Sequence, residues 1–213
     1  MSSIFAGTME KELEFLKILN HSMSYSDYLS LIDSLLLQGK TTGEDQSIAH
    51  VQTAPLNRQR IKRLDKTAII SEDLKLKVDQ LQIPISFLIL TEGWCGDASQ
   101  SVPYIHKIAA ESKGKIKDYY LLRDENLELM NQFLTDGSKA IPKLIAFHSV
   151  TGDFLFSWGP RPTAIQNWYM NLKKDSSLSK EELSLQLHQY YTNDKGQKLQ
   201  EDFIELFNNI LSV

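Results

Sequence analysis

The chain has 213 residues, with 23 Lys and Arg against 27 Asp and Glu and a net charge of −4. That length supports one generous domain or one domain with helical extensions. The acidic balance argues against a nucleic-acid partner, because phosphate binding relies on clustered Lys and Arg.

The first apolar run is broken by Lys11, Glu12, Glu14 and Lys17, which does not suit a secretory signal. No segment is apolar enough to cross a bilayer, so no membrane partner is expected and the expected location is the cytoplasm. Residues 8–20 and 25–38 read as helices. The second has Tyr28, Leu31, Ile32 and Leu35 at helical spacing, Ser24 as its cap and Gly39 as its stop. Residues 40–54 are polar and read as a loop. Helices are expected from about Leu56 to Lys66 and from Ser71 to Leu81. The basic run from Arg58 to Arg63 reads as a solvated helix face.

The pattern changes at Ile83. Residues 85–90 form an apolar, β-like run, followed by a turn with Gly93 and Gly96. Val102, Ile105 and Ile108-Ala109 mark one helix face. A strand at 116–122 and a helix through Leu127, Met130 and Leu134 follow. Residues 143–148 and 154–158 read as a hairpin about Thr151-Gly152-Asp153. Ile165, Trp168, Tyr169 and Leu172 sit on a last helix of this region. The order βαβα–ββα is that of an α/β fold, a mixed sheet with helices on both faces. Two tail helices follow, with Ser179 and Glu182, then Asp194 and Gln197, as start signals. The expected division is a helical extension over 1–82, a domain over 83–174 and a docked helical tail over 175–213.

Cys95 is the one cysteine, so an intramolecular disulfide and a cysteine-built zinc site are both excluded. It directly follows a buried strand and opens a helix, where free N–H groups and the helix dipole favour thiolate. Trp94 is placed to shield one side of the sulfur. Asp97, in the first helical turn, reads as a cap whose charge opposes thiolate formation. The expected balance is a cysteine more acidic than a free one. Lys143 is placed to offset Asp97 or to meet an anionic ligand, and Arg161, between two prolines, is a weaker candidate for the same rim. The five histidines show no metal-ligand spacing, and no phosphate-cradling loop or serine nucleophile elbow is present, so no metal or cofactor is expected.

The run Glu92-Gly93-Trp94-Cys95-Gly96 behind an apolar strand resembles thioredoxin, and Ile141-Pro142 resembles that family's Ile-Pro, whose proline is cis beside the active-site sulfur. The Trp-Cys-Gly-Asp-Ala turn, Trp158-Gly159-Pro160-Arg161-Pro162, and Leu187-His188 through Tyr191 and Asp194-Lys195-Gly196 are similar to a bacterial thioredoxin-like family with helical extensions. The resemblance covers about residues 83–174. It implies a thioredoxin-like fold, a cis bond at Ile141–Pro142, a catalytic Cys95, and a site lined by Trp94, Gly96, Asp97, Ile141, Pro142 and Lys143. The chain departs from thioredoxin at Asp97 and Ala98, where that family has Pro and the resolving Cys, and at Ile89, where it has a buried acid.

A dithiol reductase needs its second cysteine to leave a mixed disulfide. Three readings remain. Cys95 performs monothiol exchange with a protein disulfide or a low-molecular-weight thiol such as glutathione. Alternatively, the chain is a non-catalytic binding module that holds an extended segment beside Pro142, or Cys95 is a redox sensor that forms sulfenic acid.

Overall fold

The computed structural model describes residues 17–212. Most of the helix expected at 8–20 lies outside these residues. Helix α1 (Tyr25–Leu37) begins with a capping box, in which Ser24 and Asp27 satisfy each other's backbone N–H groups. Helix α2 (Ile48–Thr67) starts well before the expected Leu56. The polar residues that read as a loop up to 54 include its first turns, and Pro55 lies on an exposed face inside the helix. The ladder bond lost at its nitrogen is tolerated because Ala54, Asn57, Ile61 and Leu64 bury a continuous stripe around it. Helix α3 (Glu72–Gln80) follows, capped by Ser71.

Strand β1 (Ile85–Thr91) is buried at every position, as its largely apolar run requires of a strand covered on both faces. Helix α4 (Gly96–Glu111) carries the chain to β2 (Ile116–Leu122), which pairs parallel with β1. The short α5 (Leu127–Asn131) buries Met130 and ends before Leu134, which is exposed. Strands β3 (Lys143–His148) and β4 (Phe154–Trp158) form an antiparallel hairpin, with β3 antiparallel to β1. The sheet order is β2-β1-β3-β4. Helices α6 (Thr163–Leu172), α7 (Lys180–Asp194) and α8 (Gln197–Leu211) complete the chain.

The peptide bonds Ile141–Pro142 and Gly159–Pro160 are cis. Gly159 lies against the first of these loops with φ of +108°, and a Cβ there would run into the Pro142 carbonyl oxygen. Only glycine meets both demands.

Ser179 and Glu182 form the capping box expected of α7. The start of α8 differs from expectation. Asp194 closes α7, and Lys195 and Gly196 reverse the chain in the left-handed region. The Asp194 carboxylate then accepts the Lys198 N–H rather than that of Gln197. Helix α8 drives Leu199, Phe203 and Phe207 into the same core as the sheet. The Phe203 ring meets Phe87 of β1 and Phe156 of β4 edge to face, with centroids 6.0 and 6.5 Å apart.

Because Phe203 is fully buried in this cluster, Phe203→Ala should cost about 3–5 kcal/mol through lost contacts and the cavity left behind. Urea unfolding of the full chain measures the loss. A loss within the range of an exposed site would show that α8 is not part of the core.

Candidate functional site

Cys95 is the N-cap of α4 and lies between the end of β1 and the Ile141–Pro142 loop. Its sulfur accepts the Ala98 N–H at 3.4 Å and donates to the Ile141 carbonyl oxygen at 3.2 Å. A carbonyl oxygen only accepts, so this geometry holds the proton on sulfur. Cys95 is 7% exposed. Burial pushes its thiol up to about 12, and Asp97 pushes in the same direction against the backbone N–H groups and Arg161. The expected acidification is therefore reversed. The helix N-terminus acts as expected, but desolvation outweighs it.

Asp97 is not the cap of α4. Its carboxylate is taken by Arg161, with Nε 3.0 Å from Oδ1 and an Nη 2.6 Å from Oδ2, and by the Tyr191 hydroxyl at 2.8 Å. Burial raises the Asp97 pKa, while Arg161 and Tyr191 pull it down. Arg161 also donates to Gln166 and lies over the Tyr169 ring. The cation that meets Asp97 is thus Arg161. Lys143 is buried and donates to the Thr135 hydroxyl at 2.6 Å and the Gly159 carbonyl at 3.1 Å.

Helix α7 closes the turn from outside. A Cβ on Gly96 would lie 2.9 Å from His188 Nε2, so the imidazole rests directly on the residue after Cys95. The Gln100 amide nitrogen lies 3.3 Å from His188 Nδ1 and donates to it. Burial, with Arg60 and Arg161 nearby, lowers the His188 pKa to about 4, so the ring is neutral at pH 7.

The other side of the turn belongs to α2. The Trp94 indole stacks on His50, with centroids 4.0 Å apart, and the Arg123 guanidinium lies over it at 4.9 Å. Beneath it Glu92 is 1% exposed. Its Oε1 accepts the Asp124 N–H, and its Oε2 has no partner in hydrogen-bonding geometry, although the nearby Thr42 side chain favours its charged form. The Glu92 and Asp124 carboxylates face each other across Gly43, whose Cβ would lie 3.3 Å from Glu92 Oε2 and 2.5 Å from Asp124 Oδ2. Burial raises the Glu92 pKa to about 7, and Asp124 adds to the rise.

Ile141 and Asp97 thus stand close to the buried Cys95 thiol, with Gly96 beside it in the chain and Pro142 next to Ile141. The Trp94 indole, by contrast, is taken by His50 and Arg123, and Lys143 by Thr135 and Gly159. Sequence reasoning missed His188 and Tyr191 as site residues, although both stand in the tail motif that carried the resemblance. It also missed Glu92 and His50. The signal at Glu92 was an acid directly following a strand that is buried at every position. Among the described residues no three His, Cys, Asp or Glu side chains are placed to hold a metal ion, and no helix is long and apolar enough to cross a membrane.

A four-stranded mixed sheet with a cysteine at the β1–α4 junction and a cis-proline loop against its sulfur defines the thioredoxin-like class. A family model described as thioredoxin matches residues 43–176, and the chain belongs to that family. The solved structure of a protein of unknown function from Pseudomonas aeruginosa superposes with a TM-score of 0.59 at 12% identity, covering 91% of this chain and 96% of that one. An HIV epitope-scaffold gives 0.47 at 11% identity, covering 89% and 96%. None of the curated proteins matches the chain.

Two measurements test this geometry. The folded pKa of Glu92 lies above the unfolded value, so the native state favours the proton and this group's stabilisation is lost as pH rises from about 4.5 through about 7. Glu92→Gln removes that slope, and its stability relative to wild type should rise by about 3 kcal/mol between acidic and mildly alkaline pH in urea unfolding. His188→Ala uncovers Gly96, and the native protein should react several-fold faster with an aromatic disulfide reagent. An unchanged rate would mean that α7 does not cover the thiol.

Proposed function

We propose that this chain is a non-catalytic thioredoxin-fold binding module that holds a partner segment in the cleft beside Pro142 and Lys143. The observation that carries this reading is the Cys95 thiol, enclosed and donating to the Ile141 carbonyl. A nucleophile must be a thiolate with access to its target, and Cys95 is neither ionised nor open. A cleft of about 530 Å³ lies on the far side of the same loop, lined by Thr135, Lys143, Trp158, Gly159 and Arg161 among others. That volume falls within the range of ordinary ligand sites. The same enclosure weighs against a sulfenic acid sensor, which needs an accessible thiolate. We place the protein in the cytoplasm and in the bacterial branch that has the Trp-Cys-Gly-Asp-Ala turn, on the single cysteine and on the tail motif.

Monothiol exchange is the second reading, and one contact favours it. The Ala98 N–H points at the sulfur, so a state with α7 lifted would present a thiolate-stabilising helix N-terminus.

Alkylation by iodoacetamide as a function of pH decides between them. The binding module predicts a midpoint well above about 8.5, the free-cysteine value, and no adduct with oxidised glutathione. A midpoint below that value, with one glutathione gained per chain, would establish monothiol exchange and end the non-catalytic reading.

A further inference from the structure

Two cavities outside the thiol site share a wall. The polar cleft of about 530 Å³ runs along Ser157 and Trp158. An apolar cavity of about 540 Å³ runs along Phe154, Leu155 and Phe156 beneath Ile210 and Leu211. Leu206 and Asn209 of α8 line both. Together they form one trough along the whole of β4. Successive strand residues point to opposite faces of a sheet, so cavities that touch every residue from Phe154 to Trp158 lie at the strand's edge rather than on one face.

That edge is unpaired. β4 is the last strand of the sheet, and among the described residues its outer backbone groups bond to no other segment. Proteins usually blunt such an edge with Pro, Lys or an inward charge. This one reads Phe-Leu-Phe-Ser-Trp, and Phe154 is 54% exposed.

We propose that the trough receives an extended peptide of a partner protein, which adds a strand to β4, places apolar side chains against Phe154 and Ile210, and sets a Lys or Arg side chain over Asp202 and Glu205. The proposal rests on the binding-module reading and names its partner class. Only a chain in extended conformation completes the backbone ladder of an edge strand, with alternate side chains filling the pockets beside it.

The charge at the polar end supplies the second requirement. Lys143 is held by Thr135 and Gly159, and Arg161 by Asp97. Asp202 accepts three bonds from uncharged donors, the Trp158 indole N–H and the Thr163 N–H and hydroxyl. Glu205 is exposed and has no ion-pair partner among the described residues. Two carboxylates without a cation call for one from the ligand. A second copy of this chain, pairing through its own β4, brings no Lys or Arg in that strand.

The test pans a displayed library of random heptapeptides against the immobilised full chain. It then follows hydrogen exchange of the chain with the best synthetic peptide bound. Enriched peptides should alternate apolar residues and carry Lys or Arg near one end. Amides of residues 155–158 should exchange at least about tenfold more slowly in the complex. Glu205→Gln should weaken the peptide, and Glu205→Lys should weaken it further, by about fivefold or more. Peptides that bind without protecting β4 or sensing Glu205 would overturn this inference and leave the binding-module reading standing. No enrichment over bare support would also overturn it. So would β4 protection that grows with concentration of the peptide-free protein, which would assign the trough to a second copy. Failure of the underlying reading shows separately, as a reactive Cys95.

Discussion

The Asp97 carboxylate, gripped by Arg161 and Tyr191, joins three segments that are far apart in sequence. It fixes the first turn of α4 to the loop after β4 and to helix α7. The pair is largely out of water, with side-chain exposures of 16% for Arg161 and 12% for Asp97. In such a place a lone charge costs several kcal/mol, so each partner demands the other. The grip also determines the chemistry. It draws α7 onto the turn, where His188 covers Gly96, and the resulting enclosure keeps Cys95 protonated.

Two opposing effects act on that sulfur, and their magnitudes decide the outcome. A helix N-terminus is worth roughly 0.3–1 kcal/mol to a nearby anion, and up to about 2 in partly buried geometry. Removing a charge from water costs several kcal/mol when no partner replaces the solvent. Arg161 is close enough to help, but it is already bonded to Asp97, whose own charge works against the thiolate. In thioredoxin-like proteins a reactive thiol at this junction is the natural expectation. Here the same backbone position holds a thiol whose hydrogen bond to Ile141 reinforces the cis-proline loop.

Much of this fold was legible in the sequence because local signals and burial agreed. The apolar run before Thr91 marked a buried strand, and Ser24, and Ser179 with Glu182, marked helix starts. The start of α2 differs from expectation because the polar composition of residues 40–54 reads as a loop, whereas the buried Ala54 and Asn57 hold the first turns of the helix in place. The site was legible only along the chain. Cys95 and Asp97 follow from the strand-to-helix turn, Pro142 from the family resemblance, and Arg161 is placed at the rim by its two flanking prolines, whereas Tyr191 and His188 reach the turn through tertiary packing, which no periodicity encodes. The sign of the thiol shift was misjudged for the same reason: it depends on a helix that begins more than eighty residues after the cysteine.

The central claim is that the folded protein keeps Cys95 as a thiol. A chain with one cysteine allows this to be read directly, because cysteine labelled with carbon-13 at Cβ gives one resonance whose shift follows ionisation. The account predicts a flat titration through neutral pH to about pH 10, well past the free-cysteine value of about 8.5, with movement only as the fold is lost. A clean titration step centred below about 8.5 in the folded chain would contradict it.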